Sequence, residues 1–230
     1  MDGTLSRIVP TPEEARVGRK VRQALEALNR RPGFNVGVVS GRSLSDTRRL
    51  VPGRNLIRSG NHGLEIEAPG LRFVHPAARR QAGLLRVLAG SLRKALGGIR
   101  GPRVENKGLT ASVHFRKVAP GRLGRFRDAV RGPLRSPAAR GFRIRQGKKV
   151  IEIVPDCRWT KGDAVACIVR RLKPDITLYA GDDATDEHVF KTLRAGDISV
   201  RVGPGRKTAA RHFMKSQKDI SRLLKKLEAL

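Results

Sequence analysis

Apolar residues 17, 21, 25 and 28 recur at helical spacing behind Thr11-Pro12-Glu13-Glu14, which supplies an N-cap, a proline for the first turn and a glutamate to close a capping box. This predicts a helix from about 12 to 31. Asn35-Val36-Gly37-Val38-Val39 is a short apolar run ended by Ser40-Gly41-Arg42, the pattern of a buried parallel strand that delivers its carboxyl end to a site. Short apolar runs at 56–57, 176–180 and 198–202 alternate with helices expected near Ser43, Lys161 and Asp183. The outer parts of the chain therefore read as one split α/β domain, a doubly wound, Rossmann-like parallel sheet.

Between them the period changes. A helix over 80–97, strands over 103–106 and 109–116, a helix over 121–131 and strands over 142–146 and 149–154 form an αββαββ insert, two helices over a small antiparallel sheet. The Pro69-Gly70 and Pro76 positions read as hinges, giving core segments 1–77 and 154–230 around a cap at 78–153.

Composition narrows this picture. A chain of 230 residues with 39% hydrophobic content can bury a full core, and no apolar run approaches the roughly 20 residues of a membrane helix. Neither a membrane partner nor a secretory leader is expected, so the location implied is cytoplasmic. Cys157 and Cys167 stand apart without a Cys-x-x-Cys spacing, which argues against a disulfide framework and against structural zinc. The formal charge of +29 would suit a nucleic-acid binder, but the basic residues run through every segment and aromatics are only 4%. A compositional bias that incidentally attracts an anionic substrate is the preferred reading, and a nucleic-acid partner is not expected.

Candidate chemistry falls in four places. Asp2-Gly3-Thr4-Leu5 joins a carboxylate to a flexible glycine and a hydroxyl, a weak signal alone. Ser40-Gly41-Arg42, at a strand end, offers a hydroxyl and backbone N–H groups to phosphate oxygens. Lys161 opens a helix that Thr160 and Asp163 can cap, although a surface lysine would look the same. Gly181-Asp182-Asp183-Ala184-Thr185-Asp186-Glu187 packs four carboxylates into six positions of a basic chain, a local inversion of charge that a hard cation would offset. A solvated acidic turn would also explain it.

In this order the four pieces resemble the motifs of the haloacid-dehalogenase phosphohydrolases. Gly60-Asn61-His62-Gly63-Leu64-Glu65, Val104-Glu105-Asn106-Lys107, His114-Phe115-Arg116, Glu152-Ile153-Val154-Pro155 and Trp159-Thr160-Lys161-Gly162 further resemble trehalose-6-phosphate phosphatases. The resemblance implies an aspartyl-phosphate mechanism in which Asp2 is the general acid and base while Ser40 and Lys161 hold phosphate oxygens. It implies Mg²⁺ held by the nucleophile's carboxylate, the Asp2 carbonyl and Asp182, with Asp183 nearby. It places Arg42, Asn61, His62, Glu105, Lys107, His114, Arg116 and Glu152 around a small sugar-phosphate substrate. The motif's first aspartate, the nucleophile, would stand just before Met1, so a first core strand and an upstream reading frame are expected. Alternatives are a phosphatase for sucrose phosphate or mannosylglycerate phosphate, and a sugar-phosphate-binding paralogue without catalysis.

Overall fold

The computed structural model describes residues 1–9, 11–204 and 207–229. The chain divides into two units, Met1–Phe73 with Trp159–Leu230, and Val74–Arg158.

In the first unit the opening helix is shorter than the apolar period implies. Thr11 opens only a 3₁₀ turn, Pro12–Glu14, and α1 runs from Arg19 to Arg30 with Gly18 at its N-cap. Val17, counted among the helical positions, instead forms an antiparallel bridge with Ser6, so residues 15–18 cannot continue the turn. Strand β1 (Gly37–Val39) pairs parallel with β2 (Ile57–Gly60), and α2 (Leu44–Leu50) connects them. Ser43 caps α2 by accepting from Asp46 N at 3.1 Å.

Beyond β2 come β3 (Glu65–Ala68) and β4 (Leu71–Val74), completing a sheet of order β1-β2-β3-β4. Pro69 and Gly70, read above as a hinge, form the tight turn between β3 and β4, where Gly70 takes φ +66°.

The second unit opens with α3 (Pro76–Leu96), Pro76 serving as its first-turn proline. Strands β5 (Arg103–Asn106) and β6 (Ala111–His114), helix α4 (Leu123–Arg135), and strands β7 (Phe142–Gly147) and β8 (Val150–Pro155) follow in the expected order. Its four strands form an antiparallel sheet ordered β5-β6-β8-β7. Alternation decides its two faces. Ala111, Val113, Ile151 and Ile153 pack with Leu85, Leu88 and Leu92 of α3 and Phe126 and Val130 of α4 in one core. Glu105, Ser112, Glu152 and Arg145 therefore share the opposite face.

Back in the first unit, α5 (Lys161–Leu172) leads to β9 (Leu178–Gly181), the short α6 (Glu187–Thr192), β10 (Ile198–Val202), β11 (His212–Met214) and α7 (Ile220–Glu228). Strands β9, β10 and β11 are parallel, ordered β11-β10-β9. The parallel strands thus belong to two sheets: β1 is the edge of one and β9 of the other, and no described strand pairs with both. Met1, Val38 of β1 and Ala180 of β9 belong to one apolar cluster.

Candidate active site

Residues 1–6 make a tight loop in which the Met1 carbonyl accepts from Leu5 N at 2.8 Å and Ser6 N at 3.1 Å. Gly3 sits at φ +80°, and a Cβ there would collide with the Asp182 carboxylate, so this position needs glycine for both conformation and room. The close approach lets Thr4 Oγ1 donate to Asp182 Oδ1 at 2.6 Å. Asp2 has other partners. Its carboxylate accepts from Ser6 Oγ at 3.1 Å and, bidentately, from Arg42 Nε at 2.7 Å and Nη2 at 2.9 Å. Burial pushes the Asp2 carboxyl up, but the Arg42 hydrogen bonds and charge outweigh it and hold it below the usual range.

Ser40 is held at the end of β1. Its N–H donates to Ser59 O at 2.9 Å, its carbonyl accepts from His62 N at 2.9 Å, and its hydroxyl accepts from Arg42 N at 3.1 Å. Asn61 N donates to Arg42 O at 2.7 Å, so the Ser-Gly-Arg loop is laced to the Asn-His-Gly loop. Asn61, His62 and Gly63 all have positive φ, a run tolerated because the surroundings fix it. Glu65 Oε1 accepts from both Asn61 Nδ2 at 2.7 Å and Leu44 N at 2.9 Å, tying that run to the start of α2. A Cβ on Gly41 would strike the His62 imidazole, which packs against the loop backbone. Trp159 Nε1 donates to Gly63 O at 2.8 Å and its ring stacks on Phe73 at 5.0 Å, anchoring the approach to α5.

Lys161 is fixed by a reciprocal capping box: Thr160 N donates to Asp163 Oδ2 at 2.8 Å and Asp163 N to Thr160 Oγ1 at 3.4 Å. Its ammonium is 4% exposed and meets Asp186 Oδ1 at 2.9 Å, with Tyr179 OH donating to the same oxygen at 2.8 Å. The other oxygen of Asp186 accepts from Asp182 N and Asp183 N, each at 3.0 Å. Asp186 thus shapes the acidic loop from inside. Burial pushes its carboxyl up, yet the Lys161 charge and hydrogen bond outweigh this and hold it below the usual range. Burial and the Asp186 charge push the Tyr179 phenol well above its ordinary value.

Asp182 differs: burial pushes its carboxyl up, the Thr4 hydrogen bond opposes this, and Asp186 and Asp183 push it further. A carboxylate whose charged form is disfavoured by burial and like charges fits beside a cation. The Asp182 carboxylate, with Asp183 next along the loop, offers the oxygen donors that a hard divalent ion takes. Asp183 Oδ1 accepts from Ala184 N at 2.6 Å and Oδ2 from Thr185 Oγ1 at 2.9 Å. Among the described residues, no three acidic, histidine or cysteine side chains form a ready metal cage.

On the polar face of the second unit, strand register places Glu105 opposite Ser112, Ser112 opposite Glu152, and Glu152 opposite Arg145. This is a four-strand row that alternates acceptor, hydroxyl, acceptor and cation. His114 Nε2 lies 2.8 Å from Glu105 Oε2. Burial pushes the Glu105 carboxyl up, and the His114 hydrogen bond with the neighbouring Lys107 charge outweighs it and lowers it. Lys107 stands in the β5–β6 turn, where its N–H donates to Thr110 O at 2.9 Å. Arg116 lies beyond the end of β6, which stops at His114, and its Nη2 donates to Lys148 O at 3.4 Å.

Hydrogen bonds therefore link Ser40 through Arg42 to Asp2, and Thr4 through Asp182 and Asp186 to Lys161, within one unit. Arg42, expected around substrate, is placed on the Asp2 carboxylate. Sequence reasoning missed Asp186, Tyr179 and Glu65 as organisers and Ser112 and Arg145 as members of the polar row. The Asp-x-x-Asp spacing from 183 to 186, a second capping box, was the available signal for Asp186.

An Asp-Gly-Thr turn, a strand-end serine, a buried lysine and an acidic loop on parallel strands define the candidate site of an α/β protein. The trehalose-phosphatase family model matches residues 1–228, and the chain belongs to that family. An uncharacterized glycosyl hydrolase of Mycobacterium tuberculosis is 38% identical over 209 residues, covering 87% of this chain and 15% of that protein. A trehalose-phosphate phosphatase of Mycolicibacterium paratuberculosis is 36% identical over 203 residues, covering 86% of this chain and 51% of its own length. The chain thus spans about half the length of such phosphatases. A crystal structure of a trehalose-6-phosphate phosphatase related protein superposes with TM-score 0.84 at 24% identity, covering 99% of this chain and 94% of the other, which establishes the shared fold.

Proposed function

We propose that this chain carries the phosphatase module that hydrolyses trehalose 6-phosphate to trehalose and phosphate. The observation that carries the reading is the hydrogen-bonded chain of Thr4, Asp182, Asp186 and Lys161, which joins a buried ammonium and a cation-seeking acid to the opening loop, two residues from Asp2. Lys161 neutralises phosphate oxygens and Ser40 donates its hydroxyl to them. Asp2 gives its proton to the sugar oxygen as the P–O bond breaks, then takes one from the water that cleaves the acyl phosphate. Asp2 must exchange part of its Arg42 clamp to do so. Mg²⁺ held by Asp182, Asp183 and the Asp2 carbonyl would neutralise charge on the transferring group.

The attacking oxygen belongs to a carboxylate two positions ahead of Asp2, where none of residues 1–230 stands. A strand entering there would pair with β1 and β9, each the edge of its sheet; their shared apolar cluster with Met1 supports that placement. On the polar row, Glu105, Ser112, Glu152 and Arg145, with Lys107, His114 and Arg116, supply hydroxyl contacts to the sugar. Asn61 and His62 brace the phosphate loop.

The test grafts four to six apolar residues and an aspartate directly before Met1 and measures phosphate release from trehalose 6-phosphate with and without Mg²⁺. Activity that requires both the new aspartate and Mg²⁺ supports the reading. A grafted chain that folds and releases no phosphate, or one whose activity survives aspartate to asparagine, would contradict it.

A further inference from the structure

Ser40 and Lys161 come from different parts of the first unit, Ser40 from the end of β1 and Lys161 from the first turn of α5. Two hydrogen-bonded routes join them. The longer passes through Arg42, Asp2 and the opening loop to Asp182, Asp186 and Lys161. The shorter has only two links: His62 N donates to Ser40 O at 2.9 Å, and Trp159 Nε1 donates to Gly63 O at 2.8 Å. Gly63 follows His62 directly, and Trp159 precedes Lys161 by two residues.

That second link is tightly built. Gly63 takes φ +99°, and a Cβ there would lie 2.8 Å from Ala164 Cβ and 3.0 Å from Thr160 O, so the loop rests directly on the start of α5. The Trp159 ring stacks on Phe73 and packs against the apolar cluster of Ile57, Ile66, Ala164 and Ile168. Phe73 ends the first leg of this unit and Trp159 begins its return, so the stack clips exit to re-entry and the bridge is made wholly within one unit. Solvent could satisfy a half-buried indole N–H; here the acceptor is instead a carbonyl beside the loop that holds Ser40.

Two groups that hold the oxygens of one phosphate must keep a fixed separation, because a misplacement of about 1 Å forfeits the geometry of one of the two contacts. We propose that Trp159 is a positioning residue of the phosphate subsite, its indole N–H setting the spacing between the Ser40 hydroxyl and the Lys161 ammonium. This role rests on the proposed phosphate contacts of Ser40 and Lys161.

Calorimetric titration of the chain with inorganic phosphate tests it. Trp159→Phe keeps an aromatic ring beside Phe73 and removes the donor, so phosphate affinity should fall about fivefold, the worth of one hydrogen bond. Ile168→Val trims the same apolar cluster and keeps the donor and acceptor of the bridge; it should lower the urea midpoint and leave phosphate affinity within about twofold. Trp159 is the only tryptophan, so its indole N–H gives a single cross-peak in nitrogen-edited NMR spectra of the intact chain. That peak should move as phosphate is added and saturate at the calorimetric Kd. Unchanged phosphate affinity in Trp159→Phe, an equal loss in Ile168→Val, or an indole peak that saturating phosphate leaves in place overturns the positioning role. Lys161→Ala tells this failure from a deeper one: a chain that binds no phosphate, or whose phosphate affinity survives that change, overturns the phosphate contacts themselves and the role of Trp159 with them.

Discussion

The circuit around Lys161 and the polar row around Glu152 are both built from charged side chains, but different physics places them. Lys161 and Asp186 are 4% and 3% exposed and every oxygen of Asp186 is engaged, so burial and hydrogen bonding leave the pair one arrangement. Glu105 and Glu152 are only partly buried and are aligned by backbone register across three antiparallel pairings. A buried circuit suits groups that must hold charge at fixed positions. A register row suits groups that must match the hydroxyl pattern of one sugar, because side chains can change without disturbing the ladder.

That contrast can be broken most forcefully at Asp186. Asp186→Ala leaves the Lys161 ammonium buried without its partner and removes the acceptor for two loop N–H groups, so unfolding free energy in urea should fall by about 3–5 kcal/mol. Glu152→Ala, on the ladder, should cost less than about 1 kcal/mol in the same assay. Similar losses would erase the distinction.

Next in size is the effect on turnover in the strand-grafted chain. Asp182→Asn should abolish Mg²⁺-dependent hydrolysis, whereas Lys107→Ala should depress turnover of trehalose 6-phosphate at least about tenfold more than that of a small aryl phosphate. Unchanged Mg²⁺ dependence in the first variant, or equal losses on both substrates in the second, would count against the assigned roles.

Smaller still is the contribution of Tyr179. Tyr179→Phe removes one of two donors to Asp186 Oδ1 and should cost about 1 kcal/mol while leaving the fold intact. If the phenol positions Lys161, the affinity for inorganic phosphate should fall as well; a purely structural role would lower stability alone.

A further effect is at acid pH and lies outside both regions. Arg194 hydrogen bonds hold the Asp197 carboxyl at about 2, against the pull of burial upward. A depressed folded pKa adds stability above the unfolded value, and that stability is lost as pH falls from near 4 through about 2. Asp197→Asn should flatten this limb of the stability profile; an unchanged acid limb would show that the pair contributes nothing there.

What was legible in the sequence was mostly local. The caps at Ser43 and Thr160 act within three residues, so the starts of α2 and α5 could be read directly. The strands of the inserted unit followed from period-two patterning and fell within one or two residues of the expected bounds. The opening helix failed because apolar spacing at 17, 21 and 25 does not reveal that Val17 bridges Ser6. Strands β3, β4 and β11 went unread because Pro69-Gly70 serves equally as joint or hairpin turn, and β11 pairs with a strand ten residues earlier across a loop. At the site, residue types were readable and partnerships were not. Four carboxylates in six positions do not say which one takes the lysine, and the meeting of Ser112 with Glu152 depends on register between strands far apart in the chain.

The division of labour between circuit and row is tested most directly by calorimetric titration of the chain with trehalose 6-phosphate and, separately, inorganic phosphate. Glu152→Ala should weaken trehalose 6-phosphate about tenfold or more and leave phosphate within about twofold, whereas Lys161→Ala should weaken both. A Glu152→Ala variant that loses phosphate affinity to the same degree, or a Lys161→Ala variant that retains it, would contradict the account.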